Sequence, residues 1–126
     1  MSGQLLAVAL GGALGAMARF LAASGVQRLA GASPFPWGTL LVNATGSFLL
    51  GFLFVWLVER SSSGELVRMA VTVGFLGAFT TFSTFSVESI RLVQSGSFAL
   101  AAANVIAQVL LCLPLAWLGI QLARTL

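Results

Sequence analysis

The sequence predicts an all-α membrane protein built from four transmembrane helices, on three observations. The 126-residue chain is 59% hydrophobic and only 7% charged, where soluble domains carry about 25% charged residues. Its mean hydropathy is +1.05. Its apolar residues are gathered in long runs separated by short polar connectors. So short a chain has too little interior to hide this much apolar surface from water, so its solvent is a bilayer. The composition also excludes whole classes of function. His, Asp, Lys and Tyr are absent, which removes a His-based catalytic triad and a Cys/His metal cluster. The net charge of +3 rests on six Arg against three Glu. The arginines are scattered, with no run that tracks a phosphate backbone, so no nucleic-acid partner is expected. Cys112 is the single cysteine and lies inside an apolar run, so it has no intrachain disulfide partner.

A span takes about 20 apolar residues. The first is expected over roughly Leu5 to Ala23. Its first basic residue, Arg19, follows the apolar stretch rather than preceding it, the reverse of a cleavable leader, so the run is read as a retained span. The second is expected over Trp37 to Val58, the third over Val67 to Val93, and the fourth over Phe98 to Leu122. The connectors have turn composition: Ser24 to Pro36 ends in Ser-Pro-Phe-Pro, Glu59 to Leu66 holds Ser-Ser-Ser-Gly, and Gln94 to Ser97 is Gln-Ser-Gly-Ser. Residues 1–126 thus form a single four-span domain, and the function is sought within the membrane. Glycine is frequent inside the spans, with 14 in the chain. Gly11 and Gly15 form a GxxxG pair, Gly46 and Gly51 lie in the second span, Gly74 and Gly77 in the third, and Gly119 in the fourth. Small residues let helix backbones approach closely in lipid. Trp37, Trp56 and Trp117 fall near span ends, as interfacial rings do.

An even number of spans puts both termini on one side. Arg60, Arg68 and Arg124 then lie on the terminal side, and Arg19, Arg28 and Arg91 on the other. Orientation follows from the Lys/Arg asymmetry between the sides, and this count shows none. Insertion in both orientations, with an inverted copy as partner, is one reading. The other is a topology fixed by something the count misses.

Polar side chains inside the spans ask for a reason. Thr39, Asn43 and Ser47 recur at i, i+4 and i+8, which stacks them on one helix face. Asn104, Gln108 and Cys112 repeat the spacing in the fourth span. The third span carries Thr80, Thr81, Ser83, Thr84, Ser86 and Glu88. Any one of these can be a simple interhelical hydrogen bond; three aligned stripes point to a hydrophilic path. The segment Gly74-Phe75-Leu76-Gly77-Ala78-Phe79-Thr80-Thr81-Phe82-Ser83-Thr84-Phe85-Ser86 is poor continuous helix, because glycine and β-branched threonine disfavour one. A break flanked by Gly77 and Thr80 would free carbonyls, which membrane proteins tolerate where they are buried or hold a cation. The alternative is an unbroken helix whose hydroxyls bond back to their own carbonyls. Phe82 and Phe85, three apart, face the same space. A phenyl ring has a positive edge, so rings alternating with hydroxyl donors can face a small anion.

These segments resemble the Fluc/CrcB family of fluoride channels. The matching residues are Gly11-Gly12-Ala13-Leu14-Gly15-Ala16-Met17-Ala18-Arg19-Phe20, Trp37-Gly38-Thr39-Leu40-Leu41-Val42-Asn43-Ala44-Thr45-Gly46, and Gly74 to Ser86. The resemblance implies a dual-topology antiparallel homodimer in the inner (plasma) membrane. Its two inverted subunits enclose two fluoride pores, and a structural Na⁺ sits at the dimer centre. It implies that carbonyls at Gly77 and Thr80 hold the Na⁺ and that Phe82 and Phe85 line the pores. It further implies that Asn43 faces the pore, that Thr81, Ser83 and Thr84 supply its hydroxyl stripe, and that Arg19 and Glu88 are structural. The expected function is passive fluoride exit after HF enters the cytoplasm and dissociates. The sequence departs from the family along the fourth span: Asn104, Gln108 and Cys112 stand where relatives often carry serines and a tyrosine, and a thiol is a weaker donor than a hydroxyl.

Stripping water from fluoride must be offset by several donors. Neutral donors such as the Asn43 amide and the Thr and Ser hydroxyls hold an anion loosely enough to release it. A small proton-coupled four-span exporter is the competing reading. It needs a titratable group at midplane, and the only acid within the expected spans is Glu88, which has Arg91 three residues on as a local pair. A non-transporting assembly subunit is a third reading, disfavoured by the polar stripes. Enzymatic activity is not expected, since no nucleophile–base pair is available.

Overall fold

The computed structural model describes all residues, Met1–Leu126. It is entirely helical, with four helices long and apolar enough to cross a membrane: α1 (Ser2–Leu29), α2 (Trp37–Arg60), α3 (Glu65–Gln94) and α4 (Phe98–Thr125). Each expected span lies inside one of these. All four run past the expected ends, α1 furthest, because apolar runs mark the hydrocarbon and helical geometry continues beyond it through residues such as Gln27 and Arg28. The connectors are correspondingly short. The α3–α4 turn closes on Gly96, whose φ of +80° is in the left-handed region. Ser97 N–H donates to the Leu92 carbonyl at 2.8 Å and Gly96 N–H to the Val93 carbonyl at 3.0 Å, the Schellman pattern that satisfies carbonyls at a helix end.

Two helix pairs dominate the packing. The first half of α3 lies along α1, and α2 lies along α4, the most extensive contact in the fold. Both seams are backbone against backbone. A Cβ placed on Gly15 would sit 2.1 Å from the Phe75 carbonyl oxygen, and one on Gly119 would sit 2.2 Å from that of Phe48. Gly11 meets Ala70 and Gly51 meets Ala116 in the same way. Lipid offers no hydrophobic force between helices, so dispersion over this close approach carries the association. The α2 stretch Val55–Arg60 and the α3 stretch Met69–Leu76 are π-wound; the second of these holds both α3 residues that meet the α1 glycines.

α3 changes partner along its length. The segment up to Phe79 rests on α1, whereas Phe82–Gln94 rests on α4. Between them Thr80 (φ −86°, ψ 157°) and Thr81 (φ −153°, ψ 114°) are extended. Gly77 itself is still helical.

The outer surface is apolar. Leu5, Leu6, Leu10, Leu14, Met17 and Leu21 form an exposed belt on α1, and Trp37, Trp56 and Trp117 are exposed near helix ends. Only 23 of 126 residues are buried, so the surface is matched to hydrocarbon rather than water. The chain is a multi-pass membrane protein. On the terminal side, Arg60 donates to the carbonyls of Ala123 and Arg124, capping the C-terminus of α4.

Gly15→Val is expected to cost about 1–3 kcal/mol or more by forcing the α1–α3 seam apart. Gly25→Ala, whose Cβ meets nothing within 4 Å, is expected to gain about 0.5–1 kcal/mol through helix propensity. Denaturant unfolding of both variants in detergent measures the contrast.

Candidate functional site: two cavities either side of Thr81

The α2 face expected from the spacing of Thr39, Asn43 and Ser47 points at α3, but its three members act differently. Ser47 turns back on its own helix and donates to the Asn43 carbonyl at 2.6 Å. Thr39 Oγ1 donates to Glu88 Oε1 at 2.8 Å. Asn43 is buried and grips the extended backbone of α3. Its Oδ1 accepts from Thr81 N–H at 2.7 Å and its Nδ2 donates to the Thr81 carbonyl at 2.9 Å. Nδ2 also donates to Gln108 Oε1 on α4 at 3.1 Å. Both Asn43 amide hydrogens are therefore used within the protein. In this protomer the Asn43 amide, expected as a neutral donor at the pore, serves as a backbone latch.

The latch has a consequence for the carbonyls around it. In a continuous helix Gly77 C=O would accept from Thr81 N–H, but Asn43 takes that N–H. Thr80 C=O would accept from Thr84 N–H, but that group donates to Thr81 Oγ1 at 3.2 Å. Thr81 thereby caps the N-terminus of the Phe82–Gln94 segment, the kind of cap that satisfies an orphan donor. Neither i+4 bond is made. Gly77 and Thr80 thus carry released carbonyls, and Gly77 lies on the exposed face of the protomer. Arg19 Nη1 approaches the Thr80 carbonyl at 3.5 Å, a long contact.

Thr81 lies at the wall between two cavities. The first is a cleft of about 670 Å³ that opens toward the α1–α2 connector. Arg19, Arg91, Glu88, Thr39 and Thr84 line it, giving two positive charges against one negative. Its mouth is shaped by Gln27, which the sequence reading missed. Gln27 Nε2 donates to the Ser33 and Phe35 carbonyls at 3.2 and 3.1 Å, and its Oε1 accepts from Gly38 N–H at 3.3 Å. The available signal was an omission: Pro36 precedes α2 where a Ser, Thr, Asp or Asn would normally cap it, so a donor in the first turn had to find a distant acceptor. The expected Glu88–Arg91 pair is not made. The one ion pair joins Arg124 to Glu59 at 3.5 Å, and Glu88 is held by the Thr39 hydroxyl of α2 instead.

The second cavity, about 340 Å³, lies on the other side of Thr81. It is lined by Asn43, Phe82, Phe85, Gln108 and Cys112, among others. Phe82 and Phe85 meet edge to face, with centroids 5.3 Å apart and planes at 63°, so one ring turns an edge toward the other. Phe82 is 78% exposed, which leaves this cavity open on the flank of the protomer. Gln108 is buried, and its Nε2 has no partner within the protein. Cys112 Sγ donates to Gln108 Oε1 at 3.7 Å. Of the fourth-span stripe, Gln108 and Cys112 reach this cavity. Asn104 does not: it is fully buried and donates to Ser89 Oγ at 2.9 Å, tying α4 to α3. Ser83 Oγ lies 3.4 Å from Thr81 Oγ1, and Thr81 Oγ1 donates to Thr84 Oγ1 at 3.0 Å, so the hydroxyl stripe is a connected cluster.

The family model described as CrcB-like protein, Camphor Resistance (CrcB), matches residues 6–120. The chain belongs to the CrcB family. A relative from Methylococcus capsulatus, named Fluoride-specific ion channel FluC, is 51% identical over 126 residues, all of this chain. This chain spans about 55% of the length of that relative. Relatives of the same name from Geobacter sulfurreducens and Magnetococcus marinus are 48% and 50% identical, and each is covered over 98% of its length. The relatives of this CrcB chain are thus named as ion channels, a non-enzymatic class.

Asn43→Leu would strand the Thr81 N–H and carbonyl, and is expected to cost about 2–4 kcal/mol for the lost buried bonds. Amide exchange at Thr81 should accelerate in that variant while exchange within α4 is little changed, which hydrogen–deuterium exchange in detergent or nanodiscs reads residue by residue.

Proposed function

We propose that this protein is a fluoride-selective channel that passively lets cytoplasmic fluoride out across the inner membrane. The observation that carries the reading is the cavity at Thr81, walled by two edge-to-face phenyl rings and neutral amide and thiol groups. It adjoins the N-terminus of a helix segment that starts at membrane depth. Partial positive charge at that N-terminus favours an anion. Gln108 borders the cavity and its buried Nε2 has no partner in the protein, a donor left unspent beside the cavity, while the arginine-lined cleft on the other side of Thr81 concentrates anions at the entrance. No basic side chain lines the inner cavity, so an ion can leave as well as enter. The names of the relatives support fluoride as that anion. HF that enters and dissociates would then be answered by fluoride leaving down its gradient.

The working unit in this proposal is an antiparallel homodimer of dual topology with two pores. Three features support it. The arginine count is balanced between the two sides, so nothing in it forbids an inverted copy. Phe82 is largely exposed and its cavity is open on one flank, so a second subunit would close it. The Gly77 backbone faces outward, where an inverted copy would bring its own. Third-span discontinuity at Thr80–Thr81 serves two ends in this reading. It turns Phe82 toward the pore, and it releases the Gly77 and Thr80 carbonyls, which suit a hard, oxygen-seeking cation such as Na⁺. Gly77 and Thr80 of the two subunits would hold that ion, and its charge would stabilise the interface and add positive potential near the pores without lining them.

Liposomes containing the purified protein should release fluoride rapidly and chloride far more slowly at matched gradients; equal release of the two anions, or no fluoride release, overturns the proposal. Phe82→Ile and Phe85→Ile are each expected to reduce fluoride flux by at least about tenfold, because an aliphatic side chain has no positive edge. Phe98→Ile, at the start of α4 and away from both cavities, should leave flux near the parent rate in the same assay.

A further inference from the structure

The inner cavity holds a thiol whose chemistry the channel reading does not use. Cys112 is only partly buried and lines the same 340 Å³ space as Phe82 and Phe85. Its Sγ is 3.7 Å from Gln108 Oε1, the atom that also accepts from the Asn43 latch at 3.1 Å. Gln108, which lines the same cavity, is 6% exposed, and its buried Nε2 has no partner in the protein. An unfilled donor beside an accessible sulfur marks a space built to receive something polar rather than a closed apolar core. The sulfur therefore sits where a small polar guest would pass, one contact away from the residue that braces the α3 backbone.

We propose that Cys112 is a modification site inside the conduction cavity, and that small neutral sulfenylating electrophiles close the channel by reacting there. This rests on the channel reading above. The Cys112 thiolate attacks the sulfenyl sulfur of a methanethiosulfonate. A new S–S bond forms, the S–SO₂ bond breaks, methanesulfinate leaves with the electron pair, and the thiol proton goes to water. Cys112 ends as a mixed methyl disulfide, the electrophile having been reduced. Two effects on conduction follow. The methylthio group occupies space that the two phenyl rings border. The S–H donor to Gln108 Oε1 is also lost, which loosens the support of the Asn43 latch. A thiol reductant reverses both by exchange.

The test uses the full chain in liposomes. Fluoride efflux is measured before and after methyl methanethiosulfonate, each sample is normalised to its own untreated rate, and intact-mass spectrometry counts adducts per chain. One adduct per chain, with a fall in flux of about tenfold or more that dithiothreitol restores, is the expected result for a constricted pore. In Cys112→Ser the normalised flux should not change, whatever its untreated rate. Complete labelling with unchanged flux overturns the proposal, and so does a Cys112 that remains unlabelled in the folded protein. A protein that passes no fluoride before the reagent is added overturns the channel reading and this inference with it, so the two failures are told apart by the untreated trace.

Discussion

The structure depends on one carboxamide. Asn43 offers Thr81 an acceptor and a donor at once, and so replaces, side chain for backbone, hydrogen bonds that a continuous α3 would have made with itself. In water a frayed turn can be hydrated. In hydrocarbon each stranded N–H or C=O costs several kcal/mol, so two extended residues at this depth persist only because something else has been built to satisfy them. From that exchange follow the cap at Thr81, the released carbonyls at Gly77 and Thr80, and the shift of α3 from α1 to α4. The placing of Phe82 on the flank follows as well. Gln108 extends the arrangement to a third helix, so the latch also fixes the α2–α4 seam around the site.

Charge is deployed in keeping with that constraint. The six arginines stay near helix ends or in the outer cleft, where their long side chains can reach polar surroundings. Arg60 spends its donors on the end of α4. Arg19 and Arg91 border the cleft with Glu88, which is held by a hydroxyl rather than an ion pair. The inner cavity is lined only by neutral groups, so in the proposed channel selectivity would come from donor geometry and ring orientation.

Much of this was legible in the sequence, for physical reasons that can be named. Apolar runs fix the number of spans because the bilayer fixes their length, so all four helices were found, with ends misplaced where helix outlasts hydrocarbon. Helical spacing put Thr39, Asn43 and Ser47 on one face, and the face does look at α3. Spacing cannot say which member of a stripe turns inward. Ser47 satisfied itself on its own backbone, and Asn43 gave its donors to Thr81 and Gln108. Nor could spacing find Gln27, whose role depends on where the α1–α2 connector folds back. Asn104, Gln108 and Cys112 look equivalent at four-residue intervals, yet the first is buried against Ser89 while the other two reach the cavity. The Glu88–Arg91 pair failed because local proximity on one helix lost to a better-placed hydroxyl from another.

The glycine seams reach beyond packing. Where two backbones touch with no side chain between them, there is no rotamer to absorb a change, so the chain has nowhere to hide an error at Gly11, Gly15, Gly51 or Gly119. The bulky leucines facing outward on α1 meet a fluid that reshapes itself around any apolar contour. The tolerance of this protein to drift is therefore inverted relative to a water-soluble globule: its large hydrophobic residues are interchangeable, and its smallest residues are the ones that hold the fold to a single shape.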